Sequence, residues 1–317
     1  MNDTNILNSR KKINIFIMIM IGLGALGALL RTISIFIFYD KEIAYFQRGA
    51  ILPIILYAVY ALSVLLFAIM PFILAKNKAE IAPPFWRDRS LLLVPAGVMV
   101  YYALTQFSSL VKVDDSSPVH TVSRYEVIIL IVSLISVAFF VSLAFSKKDS
   151  IVPLILSVGF FLWFILTWIT TYLEFYTAIN SPDKFLFHFG SIGAALFMVA
   201  ELRVIYGFPK PRLYYFSLGC AIISLSVSSV PYIVGSFADA ISGTLLIEES
   251  VVHFALLIYT IGRAVNLIRQ SLGNESQKSI QEEDSETKND SNDSNDTAKE
   301  SESENTSEAK EDQAPEL

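Results

Sequence analysis

Eight runs of apolar residues, separated by short polar segments, dominate the chain; they cover roughly 13–39, 50–75, 90–111, 125–145, 151–176, 185–207, 213–234 and 249–268. Each is close to the ~20 residues that cross ~30 Å of hydrocarbon. Lipid offers the backbone no hydrogen-bond partner, so runs of this length must be helical. The predicted fold class is therefore all-α, a polytopic transmembrane helix bundle with eight spans. The first run follows Arg10, Lys11 and Lys12. It is too long for a signal peptide and lacks a small-residue cleavage site, so it reads as an uncleaved span.

The polar positions inside these runs are few and patterned. Thr167, Thr170, Thr171 and Glu174 form one helical stripe near the end of the fifth run. A short segment containing Asn180, Ser181, Pro182, Asp183 and Lys184 reads as a loop, and the sixth run then carries His188, Glu201 and Arg203. Ionisable groups are costly in lipid and usually face the bundle interior, which makes the stretch from Thr167 to Arg203 the densest candidate region. In the eighth run Glu249, His253, Thr260 and Arg263 share a face; in the first, Gly24, Gly27 and Arg31 do so. Gly24 and Gly27, and Gly190 and Gly193, lack the context of a phosphate cradle and read as close helix packing. Ser217, Ala221, Ser224 and Ser228 read as a packing face of the seventh run.

Charge then orients the bundle. Taken alternately from the N-terminus, the segments between spans hold 11 Lys and Arg on one side and 5 on the other. By the positive-inside rule the richer side is cytoplasmic, which puts both termini there and predicts a cell (cytoplasmic) membrane location. Overall composition is 53% hydrophobic with a mean hydropathy of +0.52, a balance that a bundle solvated by lipid requires. The net charge of −6 conceals a segregation. Residues 274–317 hold fifteen acids against four bases, leaving 15 acids and 20 bases in 1–273. Without apolar periodicity this end cannot form a core, so the predicted organisation is an eight-helix transmembrane domain, 1–273, and a disordered acidic tail, 274–317.

Candidate chemistry follows from depth. Arg31, Glu174, His188, Glu249 and His253 all fall in the outer half and are the candidate lining of an outward-facing polar cavity for a small anionic or zwitterionic solute. Glu201 and Arg263 fall towards the inner end. An unpaired charge at mid-membrane costs about 2.5–3.5 kcal/mol on insertion scales, which predicts an outer pair Arg31–Glu174 and an inner pair Glu201–Arg263. The competing reading of the same residues is structural, as ion pairs that lock helix register. Cys220 is the single cysteine and reads as a packing residue. No metal-ligand spacing, cofactor-binding signature or hydrolase motif occurs, so no enzyme activity, catalytic residue, metal or cofactor is predicted. Glu248 and Glu249 with His253 fall short of the intramembrane glutamate proteases at the position where those carry arginine.

The segments Tyr172-Leu-Glu-Phe-Tyr176, Asn180-Ser-Pro-Asp-Lys184, Phe197-x-x-x-Glu201-Leu-Arg203 and Pro209-Lys-Pro-Arg212, with Arg31 in the first span, resemble a group of uncharacterised multi-pass membrane proteins from anaerobic Gram-positive bacteria. The resemblance implies a shared fold and a cytoplasmic-membrane location, and it carries no assigned activity. Two roles are consistent with the sequence. One is binding or transport of a small solute through the outer cavity. The other is a membrane sensor or scaffold whose acidic tail recruits a basic cytoplasmic protein. The lipid bilayer is a partner in either case; an acidic tail and the lack of a basic patch argue against nucleic acid.

Overall fold

The computed structural model describes residues 3–40, 45–47, 49–74, 89–111, 124–146, 150–173, 181–241 and 247–290, and their side chains except in 3–10, 124 and 272–290. Among the described residues eight helices are long and apolar enough to span a membrane. They are α1 (Asp3–Phe38), α2 (Ile51–Leu74), α3 (Leu93–Val111), α4 (Arg124–Phe145), α5 (Val152–Leu173), α6 (Pro182–Ile205), α7 (Pro211–Phe237) and α8 (Ile247–Asp290). The protein is thus an integral membrane protein of the multi-pass type. The only strands among the described residues are β1 (Tyr39–Asp40) and β2 (Tyr45–Phe46), an antiparallel pair between α1 and α2. This small hairpin marks the end of the bundle where α1, α3, α5 and α7 finish and where α2, α6 and α8 begin.

The bundle is built around α7. Its most apolar window is 83% buried, against 22% for α2. It packs against α1, α2 and α6, while α3, α4 and α5 pack in sequence beside them. Small side chains make this possible. Ser217, Ser228 and Ser229 of α7 are buried, and their hydroxyls donate back to carbonyls one turn earlier, at 2.9, 3.3 and 2.6 Å. Their polarity is therefore satisfied within the helix, and neighbouring backbones can approach. Gly24 and Gly27 of α1 meet this surface: a Cβ on either would lie 2.8 Å from Ile222 or Val227. Gly193 of α6 faces the Cys220 carbonyl in the same way.

Two boundaries differ from the sequence reading. α6 starts at Pro182 rather than at residue 185. Ser181 accepts from the Lys184 amide as N-cap, Pro182 fills the first turn, and Asp183 is the first-turn acid. At the other end α8 continues to Asp290, beyond the apolar run that ends near residue 268. Residues 274–290 are rich in Glu, Gln, Lys and Ser, and they extend a helix whose nucleation cost has already been met in the membrane. The rest of the tail, 291–317, lies outside the described residues. The bundle forms one unit, Met1–Ser271, and Leu272–Leu317 a separate one.

Gly24→Leu should overpack the α1–α7 contact and cost about 1–3 kcal/mol. Thermal unfolding in detergent should show a lowered midpoint for Gly24→Leu and an unchanged one for Gly22→Leu, where no neighbour lies within 4 Å.

Candidate functional site

Two networks hold buried charge, one at each end of the bundle. At the hairpin end, Arg31 Nη2 of α1 donates to Asp183 Oδ1 at 2.6 Å and Arg31 Nη1 donates to the Val227 carbonyl of α7 at 2.5 Å. The second carboxylate oxygen of Asp183 accepts from the Tyr39 hydroxyl. Arg31 and Asp183 are both buried. The carboxylate sits in the first turn of α6, where the helix dipole favours negative charge. Burial, and then the neighbouring Asp183 carboxylate, push the Tyr39 phenol well above its ordinary value, so it remains a donor.

At the opposite end Arg263 Nε of α8 donates to Glu201 Oε1 of α6 at 2.9 Å, and both residues are fully buried. Tyr259 donates to Oε1 at 3.2 Å and Tyr214 to Oε2 at 2.7 Å. The expected inner pair is present in the geometry, with two tyrosines added. The expected outer pair is corrected: the partner of Arg31 is Asp183, and Glu174 lies outside the described residues. Asp183 escaped sequence reasoning because 180–184 reads as a loop; the Ser-Pro-Asp helix start was the signal that could have found it.

The remaining candidates divide further. His253 of α8 is fully buried, its Nε2 3.1 Å from Ser191 Oγ and its Nδ1 3.1 Å from Ser228 Oγ, with the ring stacked on Phe187 at 4.4 Å. A neutral imidazole has one donor and one acceptor, and two rotatable hydroxyls satisfy both. His253 therefore joins α6, α7 and α8. Glu249 Oε1 accepts from Tyr102 of α3 at 3.3 Å, and Glu248 Oε2 from Thr105 at 2.8 Å. The stripe on α5 turns inward on itself: Thr167 and Thr170 donate to the carbonyls of Trp163 and Leu166. Among the described residues, no three His, Cys, Asp or Glu are grouped to hold a metal ion.

Of the five residues expected to line one polar cavity, the four among the described residues, Arg31, His188, Glu249 and His253, do not converge. Arg31 and His253 are locked in the interior and Glu249 lies against α3, because burial in lipid forces each to find a partner within the fold. Of these four, His188 lines a large opening. It is half-buried, neither of its ring nitrogens has a hydrogen-bond partner, and its ring lies edge-on to Trp168 at 5.1 Å.

That opening is a cleft of about 1170 Å³ with α2 and α6 as walls and α7 as floor. The wall from α6 is a stripe at four-residue spacing, Lys184, His188, Ile192 and Leu196. The wall from α2 carries Tyr57, Tyr60 and Leu65. Near the hairpin end the two walls touch through rings, Tyr57 against Phe185 and Tyr60 against Phe189. Sequence reasoning placed His188 but missed the cleft, since most of its lining is apolar and drawn from separate helices.

No family model matches the chain, and comparisons with curated proteins and with solved structures return no match.

Removing one partner of a buried pair leaves an uncompensated charge and costs about 3–5 kcal/mol, whereas replacing both with apolar side chains is often close to neutral. Arg31→Met and Asp183→Leu should each depress the yield of folded protein, and the double variant should recover most of it. Glu201→Leu with Arg263→Met should behave alike. Fluorescence-detected size exclusion of detergent extracts measures both series.

Proposed function

We propose that this chain is a non-enzymatic protein of the cytoplasmic membrane that binds a small molecule in the cleft between α2 and α6. One observation carries the reading. The cleft is larger than the ~300–1,000 Å³ typical of ligand pockets. It also contains a histidine whose two ring nitrogens are buried without partners. An unsatisfied buried polar atom costs about 1–3 kcal/mol, a cost that a bound hydrogen-bonding ligand removes.

The other polar residues support a binding rather than a catalytic role. Asp183 and Glu201 have their carboxylates saturated by an arginine and tyrosines, and His253 is held by two serines. A general acid or base needs a route to a reacting proton, and these groups spend their hydrogen bonds on the fold. The excess of loop bases supports cytoplasmic termini, which turns the hairpin end, and with it the more polar end of the cleft, outward.

Ala61 lines the cleft and is exposed, so Ala61→Trp should fill the site without disturbing the core. Native mass spectrometry of purified protein should show a co-purifying small molecule on the wild type that is lost from Ala61→Trp; identical spectra for both would refute the reading. Sidedness is tested by adding protease to intact cells, which should leave a C-terminal epitope tag attached, and cleaving the tag after the cells are opened.

A further inference from the structure

We infer that the cleft takes an uncharged membrane lipid, its hydroxyl-bearing head hydrogen-bonded at His188 and a hydrocarbon chain lying along α7. This rests on the cleft being a binding site and adds what the site selects. Three observations converge on it.

The first is that the cleft offers hydrogen bonds without an available charge. Among the described lining residues Lys184 and His188 are the basic groups, and no carboxylate is present. Lys184 is buried and already engaged within the protein, so its charge belongs to the fold. Tyr60 and Ser224 bond each other at 2.7 Å, whereas neither ring nitrogen of His188 has a partner. A neutral imidazole presents one donor and one acceptor, and a hydroxyl is both at once. A hydroxyl therefore matches His188 whichever nitrogen carries the proton. An ionic head would instead bring in a charge with no free group of opposite sign to balance it.

The second is depth. His188 lies six residues beyond the start of α6 at Pro182, ~9 Å along the helix axis. The head-group layer on each side of the hydrocarbon core is ~5–8 Å thick. Even with the start of α6 at the outer edge of that layer, His188 falls inside the hydrocarbon. A group bonded to it is drawn below the level of ionic heads, where a charge is costly and a hydrogen-bonded hydroxyl is tolerated. Beyond His188 the lining becomes Ile192, Leu196, Leu65 and Phe216. From His188 to Leu196 the stripe runs a further ~12 Å, which carries a hydrocarbon chain to about the middle of the bilayer.

The third is the direction of the opening. At the hairpin end Tyr57 meets Phe185, Tyr60 meets Phe189, and Phe185 and Phe189 meet each other at 4.6 Å, so rings obstruct the way in from water. Leu65, Ile192 and Leu196 are exposed although they lie well inside their spans. Exposed aliphatic residues at that depth face hydrocarbon, so the cleft opens sideways into the bilayer. A hydrophilic solute arriving from water would meet apolar rings, whereas a lipid moves in laterally with its chain already in hydrocarbon.

The test is photo-cross-linking of the full chain in phosphatidylcholine vesicles that contain a minor fraction of diacylglycerol with a diazirine in its acyl chain. Adducts should map to the α2 and α6 stretches that hold Leu65 and Leu196. Unlabelled diacylglycerol or a polyprenol should compete for them, and whichever competes more strongly tells a glycerolipid from an isoprenoid alcohol as the source. Added phosphatidylglycerol with the same acyl chains should not reduce labelling. Loss of the hydrogen bond in His188→Phe should weaken labelling about tenfold, and His188→Gln, which keeps a donor and an acceptor, should retain it. Competition by phosphatidylglycerol as strong as by diacylglycerol would overturn the uncharged selection while leaving the cleft as a lipid site. Competition by water-soluble glycerol would overturn the need for a lipid chain. These competition arms use the wild type and stand even if His188→Phe does not fold. Absence of adducts from the cleft, with the Ala61→Trp spectra still changed, would overturn the lipid alone; with unchanged spectra it would remove the binding site itself.

Discussion

A charge inside a membrane protein must be closed on another group of the same fold, and this constraint fixes the bundle. α6 supplies an acid at each of its ends, Asp183 and Glu201, ~27 Å apart along the helix. The first is tied to α1 by Arg31 and the second to α8 by Arg263. α7 takes part at both levels, through the Val227 carbonyl at one end and the Tyr214 hydroxyl at the other. Between them His253 holds α6, α7 and α8 in one register. Dispersion alone leaves apolar helices free to slide, since lipid is as apolar as leucine; these directional contacts remove that freedom.

The same constraint explains where the cleft lies. α2 has no charged residue in its span and is the least buried of the eight. It is held by packing on α1 and α7 and by the hydrogen bond between the Tyr60 and Ser224 hydroxyls. The cleft therefore forms along the seam between a wall pinned at both ends, α6, and one held mainly by packing. A site that admits an occupant from the side needs one wall of this kind. The pinned wall holds the polar groups, and the looser one holds aromatic rings and small residues.

The spans were legible in the sequence because lipid leaves a long apolar run no alternative to helix, and their ends fell within a few residues of those observed except at the start of α1 and the end of α8, where the helices run on into polar sequence. The pairing of Glu201 with Arg263 was legible because depth restricts partners: few ionisable residues share a level. The partner of Arg31 was not, because Ser181-Pro182-Asp183 resembles a turn as strongly as a helix start, and reading it as loop hid a buried acid. The cleft was illegible for a different reason. Its lining is mostly Leu, Ile, Phe and Tyr, residue types that are uninformative in a span whether they face protein, lipid or a cavity.

The two candidate histidines show how little separates a structural from a functional assignment at this level. They fall in the same half of the bundle, and each has an aromatic ring against it. What distinguishes them is rotation about α6. Phe187 and Ser191, four residues apart, present a face that receives His253 and satisfies it. Lys184, His188, Ile192 and Leu196 repeat the same four-residue spacing one position on, a turn of ~100°, and that rotation carries the stripe from the interior to the cleft. One helix thus separates two tasks by angle. Its inward face closes charges and locks register, and the neighbouring stripe leaves an unsatisfied histidine towards the hairpin end of a largely apolar cleft. Had His188 been one position earlier, it would have joined the locked interior and the cleft would have had no hydrogen-bonding anchor of this kind.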